Sequence, residues 1–180
     1  MHPGQMGHVG VMKRFIPGVV AVIAVVGTLM LVGSPAEAAK APICKNADLK
    51  ASFKATGAGM SHVEGRMTLK NISGHRCRTG GFGGLSYVGH GNGTQIGRPA
   101  TRAPGGKVHE FVLRPGQRAV SKVLMTTTAP YGKRYCRPTK IDGFRVYVPN
   151  SYVSQFVPYQ AKVCANRKIK QLSHRAYQPA

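Results

Sequence analysis

Acidic side chains are what this sequence has least of: 5 Asp and Glu stand against 26 Lys and Arg in 180 residues, a formal charge of +21. Glycosidase-type or other paired-carboxylate chemistry therefore has almost nothing to work with. Tryptophan is absent, and charged residues make up only 17% of the chain against 42% hydrophobic ones. That balance excludes a disordered basic tail. No C-x-x-C pair occurs, and no G-x-G-x-x-G stands before a helix to cradle phosphates. Gly84-Leu85-Ser86-Tyr87-Val88 approaches a nucleophile elbow, but Val88 stands where glycine is required. A helical period is also missing beyond the first 38 residues. The expectation is a protein that is not an enzyme and needs no cofactor.

The first 38 residues read as an export signal. Lys13-Arg14 precede an apolar run from Phe15 to Val32, and Ala36-x-Ala38 offers the small residues a signal peptidase reads, so cleavage is expected after Ala38. The run is also near spanning length, which leaves an uncleaved anchor as the alternative. Met12, just before Lys13, is a second candidate start. Residues 39–180 then form one domain, with its core at 44–172, carrying 24 basic side chains and the four acids Asp48, Glu64, Glu110 and Asp142. At about 7,000 Å² of surface, that is one net positive charge per roughly 350 Å².

Four cysteines remain: Cys44, Cys77, Cys136 and Cys164. Zinc sites use close pairs, so separations this wide speak against a metal. An even count in an exported chain reads as two disulfides. Three connectivities exist and spacing does not choose among them; the expectation is Cys44–Cys77 with Cys136–Cys164, where each bond closes a local loop. Each would restrict the unfolded chain by roughly 3–4 kcal/mol.

Apolar and polar residues alternate along this domain. Leu49, Ala51 and Phe53 share one face; Val63, Met67 and Leu69 share another, with Arg66, Thr68 and Lys70 opposite. Segments around 108–113, 119–125, 144–148 and 153–157 continue the pattern, and turn residues such as Gly91-Asn92-Gly93, Pro115-Gly116 and Asp142-Gly143 punctuate it. Short strands with one apolar face each must pack as two sheets, so the expected fold is an all-β antiparallel sandwich.

The order of motifs adds a resemblance. Cys44 with Ala47-Asp48-Leu49, then Lys70-Asn71-Ile72-Ser73-Gly74-His75-Arg76-Cys77, then Gln95 to Arg102, Leu113-Arg114-Pro115-Gly116-Gln117, Cys136, Gly143 to Pro149 and Val163-Cys164 occur in sequence. This set resembles the actinobacterial exported family catalogued as domain of unknown function 4232, over Cys44 to about Leu172. The resemblance implies a secreted immunoglobulin-like sandwich from a high-GC Gram-positive bacterium, and no activity. Gly81-Phe82-Gly83-Gly84 departs from the family's usual Gly-aromatic-Pro-Gly turn, and the large positive charge is not a family trait.

Charge is the functional signal. Lys133, Arg134, Arg137 and Lys140 crowd around Cys136, and Lys162, Arg167, Lys168 and Lys170 crowd around Cys164. A bond between those cysteines would pin both groups into one eight-charge patch, with Tyr131 and Tyr135 beside it to pack on sugars or bases. The expected partner is an anionic polymer outside the cell: wall phosphopolymer, acidic glycan, anionic lipid headgroups or nucleic acid. The rival is a protein–protein or structural module that uses a loop at 80–93, with Phe82, Tyr87 and His90 as contacts. Met60, His62, Met67, His75, His90, His109 and Met125 invite a copper reading, but Met67 and Met125 fall on apolar faces and the histidines are scattered.

Overall fold

The structure, a computed structural model, describes residues 40–180. The export signal expected over 1–38, with its helix, lies outside the described residues. Twelve strands follow a short 3-10 turn at Asn46–Asp48: β1 Leu49–Gly59, β2 His62–Asn71, β3 Cys77–Gly80, β4 Gly84–Gly89, β5 Thr94–Ile96, β6 Thr101–Arg102, β7 Glu110–Leu113, β8 Arg118–Thr126, β9 Pro138–Tyr147, β10 Ser154–Cys164, β11 Leu172–His174 and β12 Gln178–Pro179. A single turn of helix, α1 Lys133–Cys136, precedes β9. Four residues are too few to register as a helical period, which is why the pattern alone shows only strands.

The large sheet runs β1-β2-β8-β11-β6, with β12 also pairing with β8, and the small sheet runs β10-β9-β4-β5. All of these pairs are antiparallel except β11–β6, where Ser173 and His174 lie parallel to Thr101 and Arg102. A separate β3–β7 ribbon pairs Cys77 with Leu113 and Gly80 with Glu110. Together they form an immunoglobulin-like sandwich.

Alternation decides what lies inside. Met67 and Leu69 of β2 and Val123 and Met125 of β8 are buried, facing Tyr87 of β4, Phe144 and Val146 of β9 and Val157 of β10. Phe53 joins an aromatic group around Phe144, with ring centroids 4.8 Å from Phe144 and 4.9 Å from Tyr159. Such tilted and edge-on contacts each add about 0.5–1.5 kcal/mol beyond area burial. At the edge, Gln155 of β10 accepts a hydrogen bond from the Ala51 N–H at 2.9 Å and donates to the Leu49 carbonyl at 2.6 Å, lacing the two sheets together.

Both expected disulfides are present. Cys44–Cys77 ties the lead-in to β3 with Cα atoms 4.9 Å apart, and Cys136–Cys164 ties α1 to the end of β10 at 4.6 Å. One expectation is corrected: residues 80–93 are not a loop. Gly84–Gly89 is β4, an interior strand between β9 and β5, and Tyr87 is fully buried. Leu85 to Val88 are all buried, so no apolar–polar alternation marks the strand, and its flanking glycines look like a loop. Only the tip at His90 to Asn92 is exposed, so Tyr87 is no contact residue.

Candidate functional site

The eight cations named from the sequence are all exposed, and the backbone around the Cys136–Cys164 bond holds their two segments together. Arg137 leaves α1 in the left-handed conformation, φ 52°, while its N–H donates to the Lys133 carbonyl at 2.9 Å. That reversal directs the chain into β9 one residue later. The loop after β10 then folds back onto it: the Ala165 N–H donates to the Arg137 carbonyl at 3.2 Å and the Asn166 N–H to the Cys136 carbonyl at 3.3 Å. Asn166 finishes the join. Its Nδ2 donates to the Tyr135 carbonyl at 2.9 Å and its Oδ1 accepts from the Lys168 N–H at 3.0 Å.

Beneath the loop, Cys136, Cys164 and Ile169 form a small second core, with Tyr131 packed against it. Gln171, only 2% exposed, acts as a stand-in for a paired strand. Its Oε1 accepts from the Cys164 N–H at 2.8 Å and its Nε2 donates to the Cys164 carbonyl at 2.6 Å. Gly97 passes so close, at φ 69°, that a Cβ there would lie 2.6 Å from the same Cys164 carbonyl. The next residue, Arg98, thus reaches the cluster. With Arg167 and Thr101 it borders a shallow hollow of about 490 Å³. The spacing in sequence hid this ninth cation, because the contact depends on the turn after β5 passing against Cys164 at the end of β10.

Cations oppose cations directly. Lys140 of β9 pairs in register with Lys162 of β10, an arrangement that destabilises an antiparallel sheet. Among the described residues, none of the eight side chains forms an ion pair. Three of the four acids are occupied elsewhere: Asp48 near His75, Glu110 with Arg78, and Asp142 accepting the Gly91 N–H at 2.7 Å. Tyr135 is 53% exposed beside the patch, whereas Tyr131 is half-buried in its base.

The buried Ser121–His174 pair is not arranged as an activated nucleophile. Ser121 and His174 touch at 3.2 Å, but Ser121 is fully buried and donates its hydroxyl to the Arg175 carbonyl at 2.6 Å. Nδ1 of His174 must then donate to Ser121, the reverse of what activates a serine. Burial lowers the His174 pKa; backbone bonds to Arg175 and Gly83 oppose that shift, and the nearby Arg102 charge adds to it. Burial raises Tyr87 and Tyr177 well above the ordinary phenol range. Among the described residues, no three His, Cys, Asp or Glu side chains converge as metal ligands, and no helix is long and apolar enough to cross a membrane.

A family described as domain of unknown function (DUF4232) matches residues 44–178. No curated protein and no solved structure matches the chain. The two local disulfides, the sandwich and a match across nearly all of the described residues agree: the chain belongs to the DUF4232 family.

Proposed function

We propose that this protein is an exported, non-catalytic domain that binds an anionic extracellular polymer through the cationic end of the sandwich. Wall phosphopolymer, acidic glycan, anionic lipid headgroups and nucleic acid all share the required charge. One observation carries the reading. The Cys136–Cys164 disulfide and Asn166 tie two segments, 133–140 and 162–170, to each other, and none of their eight cations forms an ion pair among the described residues. Gathering like charges costs stability, and the compensating interaction is with a polyanion. The two disulfides suit an oxidising compartment, in keeping with the export signal read from residues 1–38. A role in gripping another protein would instead use the exposed Tyr152, Val153 and Phe156 around the β9–β10 turn.

Retention on an immobilised polyanion as a function of NaCl tests the reading. If most of the eight cations contact phosphates, raising salt from 50 to 200 mM lowers affinity by about 10³–10⁵-fold, by the counterion-release slope for B-DNA. Reversing Lys133, Arg134, Lys168 and Lys170 to Glu should abolish retention at physiological salt. Equal retention of wild type and variant, or retention indifferent to salt, refutes the assignment. Salt-resistant capture of a single protein that is lost in Tyr152→Ser/Phe156→Ser favours the rival.

A further inference from the structure

A second cationic surface lies on the outer face of the large sheet. The strand register places Lys50 opposite Lys70, and Lys70 opposite Arg118, in one row across β1, β2 and β8. A second row runs Lys54, Arg66, Lys122 over the same strands. All six side chains are exposed. Between the rows lies a neutral line of Ser52, Thr68 and Val120. Neighbours within a row are about 4.8 Å apart, and the rows, four residues apart, are separated by about 13 Å. The second row continues into Arg175, whose N–H donates to the Lys122 carbonyl at 2.9 Å.

The second row borders a hollow of about 350 Å³, lined by Arg66, Lys122, Arg175, Glu64, Ser173 and the wall at Ala103-Pro104. The Arg175 guanidinium lies against Gly105, close enough that a Cβ there would come within 3.1 Å of it. Among the described residues, Glu64 forms no ion pair with these cations. Like charges in register oppose sheet pairing, so two such rows on one face are costly without a ligand.

We propose that this face is a second polyanion-binding surface, so that one domain holds two segments of a phosphodiester polymer. The inference rests on the polyanion reading above and extends it from one contact to a bridge. The arrangement in rows fits a linear chain lying across the strands, with its charges meeting Lys and Arg in turn and its hydroxyls reaching Ser52 and Thr68. The planar forks of Arg66, Arg118 and Arg175 suit phosphate oxygens. A lipid bilayer is the poorer occupant, because Glu64 would face its headgroups and only Leu124 offers an exposed large apolar side chain on these strands. Lys140 and Lys162 project from the outside of the small sheet, on the other side of the sandwich from these rows. A segment lying along one row does not reach Lys140 and Lys162, so a long polymer engages both surfaces, and avidity follows from the two contacts.

Calorimetric stoichiometry with a short glycerol-phosphate oligomer, and turbidity with long poly(glycerol phosphate), test the proposal on the intact protein. Wild type should take up two oligomers and cross-link the long polymer. Lys54→Gln/Arg66→Gln/Lys122→Gln should take up one and lose turbidity, as should the four-residue Glu variant of the sandwich end. Unchanged near-ultraviolet circular dichroism confirms that each variant is folded. A stoichiometry of one, lost only in the end variant, overturns this inference and leaves the first reading standing. A stoichiometry of one, lost only in the sheet-face variant, overturns the end assignment and the bridge together. No uptake by wild type at low salt overturns both, and tighter binding of polygalacturonate or anionic vesicles overturns the phosphodiester assignment.

Discussion

Gln171 carries more structural weight than any charged residue near it. Its amide satisfies both the N–H and the carbonyl of Cys164, at 2.8 and 2.6 Å, in a site closed to solvent. Replacement by leucine, similar in volume, leaves both backbone groups buried without partners, and each such group costs about 1–3 kcal/mol. Gln171→Leu should therefore destabilise the protein by about 3–4 kcal/mol, a large share of a typical domain's 5–15 kcal/mol. Urea unfolding with the disulfides intact measures this, and retention on a polyanion should fall as well, although no charge has changed. Gln171→Glu makes a sharper test. A carboxylate can accept from the Cys164 N–H, but its second oxygen must donate to the Cys164 carbonyl, so the folded state holds the proton and raises that pKa above the ordinary value of about 4.3. Stability of the Glu variant is then greatest below that value and is lost as pH rises through the raised one. A Leu variant within about 0.5 kcal/mol of wild type, the range of an ordinary surface change, would refute the reasoning.

Two further outcomes follow from charge and burial. Five directly opposed cation pairs, Lys50–Lys70, Lys70–Arg118, Lys54–Arg66, Arg66–Lys122 and Lys140–Lys162, each repel by about 0.8 kcal/mol in water at a strand spacing of about 5 Å. Raising NaCl from 10 to 150 mM shortens the screening length from about 30 to 8 Å, so the melting temperature should rise by several degrees in differential scanning calorimetry; a fall would contradict the register-based account. His174, its pKa lowered chiefly by burial, takes up its proton more readily in the unfolded chain. Stability should be full above about pH 6.5 and decline as pH falls through that value, by at most about 1.4 kcal/mol per pH unit. His174→Asn, whose amide nitrogen can replace Nδ1, should flatten this decline in urea titrations at pH 7.5 and 5.5.

Much of this protein is legible without coordinates. Alternation of apolar residues marks β1, β2, β8 and β9, because one buried face per strand demands a two-residue period. Met67 and Met125 fall in the core as their positions imply. The region 80–93 misleads because glycine-rich flanks look like a loop, while an interior strand buried on both faces shows no alternation to betray it. The rows on the large sheet are half-visible: Lys50-x-Ser52-x-Lys54, Arg66-x-Thr68-x-Lys70 and Arg118-x-Val120-x-Lys122 each repeat every fourth residue. Their union into a surface is not visible, since it depends on which strands pair and in what register.

Composition and periodicity alone determined an all-β chain with a large cationic excess, because both follow from the residues one by one and from their immediate neighbours. The cysteines narrowed the pairing to three choices, and folding selected the two local bonds. Tertiary structure alone decided which charges share a surface. Arg98 shares a hollow with Arg167 because the turn at Gly97 passes against Cys164, and Lys122 meets Arg66 through the β2–β8 register. These contacts join residues far apart along the chain, and only the packing of one strand against another sets that distance.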